Sequence, residues 1–319
     1  MHRQGIARCE PCLETILGDD TVTFPIAEIS RPRIAIAGAT GRVGAALVRA
    51  LTEDPVHIVA LTRTPKAGAV PDGVILAKVD FDVPATLAEA LHGADRLFLA
   101  HGTSDRQVAD ENLMIDAAVA AGVSHIVKLS AMGPPTRLHP FDWHMVIEAH
   151  LATKPVGYTV LRPGPFADVL ARSGGFVANG NWGGSAALGR INLIDTRDIA
   201  DVARVLLLDD RFADAQRAYH LTGPGATTMP DVAERLSQML GRNIVYQHRT
   251  PTEHRAVLID AGASEMVADL ALGLDRLFRD SVLAETTETV SELTGKQPRS
   301  VADWLSDNLS LFQSASGEH

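Results

Sequence analysis

Three glycines spaced three apart, in "RIAIAGATGRVGAALVRAL" (33–51), constrain this chain more than any other feature. A β-branched and alanine run ends at Gly38, and an apolar helical pattern starts after Gly41. A strand-to-helix turn without three of its side chains is built for close backbone approach. Gly38 closes the strand in a tight turn, Gly41 lets the main chain reach a pyrophosphate, and Gly44 lets the helix pack against the strand. Thr40, Arg42 and Val43 stand between them, where helix-start amides and the helix dipole favour a phosphate. A lone glycine triplet is weak evidence; its setting gives it weight.

That setting is a regular alternation. Strands are expected over 56–63, 73–81, 95–102, 125–133 and 157–164, with helices over 84–93, 111–122 and 141–153. Short apolar strands alternating with helices specify a parallel sheet covered on both faces, and right-handed crossovers wind it doubly. The fold class is α/β, a Rossmann-type doubly wound parallel sheet. Residues 1–30 read as an N-terminal extension, and its "CEPC" (Cys9, Cys12) as an incidental pair rather than a redox or metal motif. Residues 31–165 form the nucleotide-binding core, and 191–223 return to it. Glycine-rich 166–190, read as a loop or lid, and mostly helical 224–319 make a smaller substrate lobe. Thr228 with Asp231, and Ser300 with Asp303, fit capping boxes.

Composition narrows the function. With 29 Lys plus Arg against 39 Asp plus Glu, the net charge is −10, which argues against a nucleic acid or an anionic membrane as partner. No apolar run approaches the roughly 18 residues of a membrane span, and no signal-peptide core is expected, so the cytoplasm is the default location. Two cysteines rule out a disulfide framework. The partner implied is a small molecule; the oligomeric state is left open, a homodimer included.

The second strand ends "ALTRTP". A NAD-type site would carry an acid about 20 residues past the glycines. Arg63 stands there instead, with Thr62 offering a hydroxyl and Lys66 following. A guanidinium forks onto a 2′-phosphate, so the cofactor read is NADP(H); the alternative is a pair of solvated surface bases. "LAHG" ends the fourth strand, and by strand order Ala100, His101 and Gly102 pass beneath the nicotinamide ribose. His101 either bonds the ribose or substrate there, or is an ordinary loop histidine.

"GATGRVG", "ALTRTP", "LSAMGP", "YTVLRPGPFADVL", "IDTRDIADVARVLL" and "ELTGKQPRSVADWL" together resemble the NmrA-like group of atypical short-chain dehydrogenase/reductases, over nearly all of 33–311. The resemblance implies NAD(P)H-dependent reduction of quinones or triphenylmethane dyes, or an NAD(P)-binding regulator. It puts Asp80 and Phe81 beside the adenine, although Phe81 also reads as core. It sets Ser130, followed by Ala131 and Met132, at the superfamily's catalytic-serine position, and Pro163 to Phe166 along the nicotinamide.

The Tyr-x-x-x-Lys acid of typical members is missing, since neither Tyr158, Tyr219 nor Tyr246 precedes a lysine by four. The helix that should carry it reads "DWHMVIEAH", with His144 and Glu148 on one face. His150 points elsewhere, so no metal is implied. His144 either donates a proton, oriented by Glu148, or makes a structural hydrogen bond. Trp143 and Trp182 either line a pocket for a flat substrate or pack lobe on lobe. Three functions fit. The first is an NADPH-dependent reductase of planar, electron-poor acceptors of quinone, azo or triarylmethane type, which needs no tyrosine acid. The second is a non-enzymatic NADP(H) redox sensor. The third is an isomerase or reductase that needs His144 as an acid.

Overall fold

Side chains of β1 (Arg33–Ala37) divide by parity. Ile34 and Ile36 join one apolar cluster, Ala35 and Ala37 another, which is what a strand covered on both faces requires. The computed structural model describes residues 31–66, 68–133 and 141–313, with the backbone alone at Phe141. After β1 come α1 (Arg42–Leu51), β2 (His57–Thr62), β3 (Ile75–Lys78) and α2 (Ala85–Leu91). Next are β4 (Arg96–Leu99), α3 (Gln107–Ala120), β5 (His125–Leu129), α4 (Phe141–Ala152) and β6 (Gly157–Pro163). α5 (Gly174–Ala178), β7 (Gly183–Gly184), α6 (Thr196–Leu208) and β8 (Gln216–Leu221) follow.

Seven strands form one parallel sheet in the order β3-β2-β1-β4-β5-β6-β8. This is the doubly wound α/β fold expected. α1 and α6 cover the face that carries Ile34, Ile36 and Phe98, while α2, α3 and α4 cover the face that carries Ala35, Leu97 and Leu99. Strand order reverses between β1 and β4, and at such a switch point a crevice opens beyond the carboxyl ends of the strands.

The chain closes with α7 (Met229–Leu240), β9 (Gln247–His248), α8 (Pro251–Asp260), α9 (Glu265–Arg279), α10 (Thr289–Thr294) and α11 (Val301–Asp307). A third apolar cluster joins α5, α7, α9 and α11 around Val177, Leu236, Phe278 and Trp304. Both expected capping boxes form, and Thr250 with Glu253 makes a third. No helix among the described residues is long and apolar enough to cross a membrane. Cys9 and Cys12 lie outside the described residues.

The irregular loop expected over 166–189 is in fact partly ordered. It contains a 3₁₀ helix over Ala167–Ser173, then α5, then β7 paired in parallel with β9. Some of its glycines serve contact: a Cβ on Gly174 would collide with the Leu311 carbonyl, and one on Gly189 with the Phe278 carbonyl. Composition alone does not separate a glycine that frees the chain from one that lets two backbones touch.

A Cβ on Gly44 would likewise collide with the Gly38 carbonyl, and backbone cannot swing aside. Gly44→Ala is therefore expected to cost about 1–3 kcal/mol of stability, read as a lower denaturation midpoint. An unchanged midpoint would contradict the contact.

Candidate active site

The turn after β1 is tightly determined. Gly38 has φ +74°, and a Cβ there would stand 2.7 Å from the Ala100 carbonyl oxygen. The Gly41 amide donates to the Gly38 carbonyl at 2.9 Å. That amide closes the turn and is not itself a free donor. The amides of Arg42, Val43 and Gly44 make no backbone hydrogen bond, and no side chain caps α1. They are the open donors of a helix start.

A cleft of about 660 Å³ lies at the ends of β1, β2 and β4. Gly38, Thr40 and Gly41 form one side, Thr62, Arg63 and Phe81 another, and Ala100, His101 and Gly102 its far end. Arg63 and Lys66 line it exposed, with no ion pair among the described residues. Arg49 adds a third cation that the sequence reading missed, although it follows Arg42 by two helical turns. Val43 and Gly44 are buried under the turn instead of lining the cleft. Asp80 does not line it either: its Oδ1 accepts the Asp82 amide at 3.0 Å, and its own amide donates to Thr86 Oγ1 at 2.9 Å. Asp80 thus fixes the turn that carries Phe81.

His101 meets Phe81 edge-on at 5.7 Å. Its Nε2 lies 3.2 Å from Asp110 Oδ2 and its Nδ1 2.6 Å from the Gly102 carbonyl oxygen. Both nitrogens face acceptors, so the bond to ribose or substrate considered for this ring has no nitrogen left to make it.

A second cleft, about 290 Å³, begins at His101. Ser130, Ala131, Met132 and His144 line one wall, Pro163 and Phe166 another, and Leu270, Leu274 and Phe278 of α9 a third. Arg42 belongs here too, with its Nε 3.1 Å from Asp168 Oδ1. Burial pushes the Asp168 carboxyl above its ordinary value, against the pull of Arg42. Beyond, sharing Val169, Arg172, Leu274 and Phe278, lies an apolar cavity of about 260 Å³. Trp182 lines that cavity with its ring edge-on to Tyr246 at 5.2 Å, and burial raises the Tyr246 phenol. Trp143 lines none of the three. His150 is bound to Asp116 at 2.9 Å.

Glu148 does not orient His144. Its carboxylate receives the Ser130 hydroxyl and the Arg162 guanidinium, with Arg162 Nε 3.2 Å from each oxygen. Four-residue spacing shares a helix face, but the nearer cation on β6 takes the carboxylate. His144 Nδ1 lies instead 3.3 Å from Lys128 Nζ. Lys128 is fully buried and stands 2.7 Å from Glu111, which is also fully buried. The other Glu111 oxygen accepts from Gln107 Nε2 at 2.9 Å. Burial and the Lys128 charge hold the His144 imidazole down from 6.5 to about 3, so the ring is neutral at neutral pH. Lys128 and Glu111 escaped the sequence reading. The legible signal was a lysine within the apolar strand "HIVKL", since a charge in a central strand requires a buried partner.

The chain belongs to the NmrA-like family, whose sequence profile matches residues 30–305. It is 30% identical to the NAD(P)H azoreductase of Xenophilus azovorans over 287 residues, 88% of this chain and 100% of the relative. It is also 30% identical to quinone oxidoreductase 2 of Escherichia coli K12 over 280 residues, 86% of this chain and 97% of the relative. The crystal structure of the NADPH-dependent quinone oxidoreductase of Escherichia coli with NADPH superposes at a TM-score of 0.80 and 27% identity, covering 86% of this chain and 99% of that one.

The depressed His144 value has a stability consequence. The folded ring resists a proton that the unfolded chain accepts near 6.5, so stability present above 6.5 is lost as pH falls towards about 3. Below the unfolded value, wild type should lose up to about 1.4 kcal/mol per pH unit more than His144→Gln, measured by urea unfolding at about pH 7.5 and about pH 5. Equal losses would refute a ring that the fold keeps neutral.

Proposed function

We propose that this chain is an NADPH-dependent reductase of planar, electron-poor acceptors of quinone, azo or triarylmethane type. One observation carries the reading: a cleft lined by uncommitted cations, beside a helix start with unbonded amides, meets a largely apolar cleft at His101. The turn fits a dinucleotide, because Gly38, Thr40 and Gly41 line the cleft beside the unbonded amides at the start of α1. When bound, the reduced dinucleotide supplies the hydride.

The chain's own residues do the rest. The open amides of Arg42 and Val43 receive the pyrophosphate. Arg63 forks onto the 2′-phosphate, with Lys66 and Arg49 adding charge, and Phe81 covers the adenine. Pro163 and Phe166 wall the reacting end, and α9 closes the acceptor cleft with Leu270, Leu274 and Phe278. Holding the acceptor flat in an apolar slot is the main task, since such acceptors take protons from water once reduced. Tyr-x-x-x-Lys is thus dispensable. The two relatives are named as an azoreductase and a quinone oxidoreductase, which favours turnover over a sensor role.

Loss of NADPH absorbance against a panel of quinones and dyes tests the reading, with binding measured by calorimetry. Turnover of several acceptors is the expected result; tight binding without any turnover would favour the sensor. Arg63→Asp should shift preference from NADPH towards NADH by about 10-fold or more, the worth of one charge-assisted contact. Unchanged NADPH affinity would remove Arg63 from the 2′-phosphate.

A further inference from the structure

Lys128 Nζ has three hydrogens and no lone pair, and three acceptors surround it. They are the Leu129 carbonyl, His144 Nδ1 at 3.3 Å, and Glu111 Oε2 at 2.7 Å, the last at ion-pair distance but off hydrogen-bond angle. A ring nitrogen that faces an ammonium must accept, so Nδ1 is bare. A neutral imidazole with a bare Nδ1 carries its proton on Nε2. His144 lines the second cleft, and among the described residues no hydrogen bond reaches its Nε2.

We propose that Lys128, held by Glu111, locks His144 in its Nε2–H tautomer, and that this N–H donates to the acceptor atom on which negative charge develops. The inference rests on the reductase reading and narrows its substrate class. Reducing a quinone or azo compound by hydride leaves an electron pair on oxygen or nitrogen, which a fixed donor stabilises until a proton arrives from water. Reducing a triarylmethane cation yields a neutral product, and no anion forms for the donor to meet. The site therefore suits neutral acceptors that become anions, with His144 as catalytic residue and Lys128 and Glu111 as positioning residues. A neutral imidazole serves as such an electrophile in other enzymes.

Ser130, His101 and the carboxylates around the cleft do not compete for this role. The Ser130 hydroxyl hydrogen goes to Glu148, so Ser130 offers the cleft only lone pairs. Glu148 is paired with Arg162, Asp168 with Arg42, and His101 with Asp110. Asp142, on the same helix, also has a partner. Arg172 stands exposed at the cleft edge, and Lys128 is the charge that bears on the ring.

Two measurements test this. First, His144→Phe should lower the ratio of quinone turnover to cationic-dye turnover about 100-fold, through kcat, and His144→Gln, which keeps an N–H donor, should restore most of it. Equal loss with both acceptors, or none with either, overturns the donor role. Failure of wild type to reduce any acceptor sinks the reductase reading instead, and leaves the second measurement to judge the lock.

Second, nitrogen-15 NMR of histidine-labelled protein reads the ring directly, with the His144→Gln spectrum subtracted to isolate it among twelve histidines. A proton on Nε2 alone is expected, unchanged from about pH 5 to about pH 8. A proton on Nδ1, or a charged ring in that range, overturns the proposal. The double variant Lys128→Met with Glu111→Gln leaves no charge buried alone. It should release the ring to mixed tautomers and give kcat a new pH dependence; an unchanged spectrum overturns the role of Lys128.

Discussion

The approach of Gly44 to the Gly38 carbonyl sets much of what surrounds it. With α1 seated that close, Val43, Leu47 and Leu51 join Ile34, Ile36 and Phe98 in one buried cluster. α6 completes the same cluster, and Arg204 binds it to Asp54 just past the end of α1, with Nε 2.6 Å from the carboxylate. The start of α1 consequently stands at the point where strand order reverses, and its unbonded amides stand with it. Two missing side chains therefore fix both a packing surface and a set of hydrogen-bond donors.

The sheet was legible in the sequence because period-two burial and helix caps are local signals. What was not legible depends on long-range neighbours. Glu148 was read with His144 because four residues is a helical spacing, yet Arg162, fourteen residues away on another element, takes the carboxylate. For His101 the strand-end position leaves two roles open; Asp110 and the Gly102 carbonyl, which face its two nitrogens, decide against the ligand bond. Glycines at 174 and 189 were read as loop because composition does not say whether a second backbone lies opposite. Arg63 and Lys66, by contrast, stand uncommitted on the cleft where the strand-end reading put them.

The Lys128–Glu111 pair is costly to bury, and an apolar pair of the same volume would serve stability as well. Its value lies in definition. An ammonium cannot accept a hydrogen bond, so its neighbours have their proton positions dictated. Three elements, β5, α3 and α4, meet at that one nitrogen. A hydrophobic contact at the same place would hold the helices together without saying anything about the imidazole.

The two clefts meet at a single shared ring, His101, and that ring is fastened at both nitrogens. The partition between them is therefore stiff, and each chamber can drift in sequence without disturbing its neighbour. Arg49, Arg63 and Lys66 line one chamber, and α9 lends Leu270, Leu274 and Phe278 to the wall of the other. For the reductase proposed above, such modularity means that revising one helix changes the acceptor while the electron source stays the same.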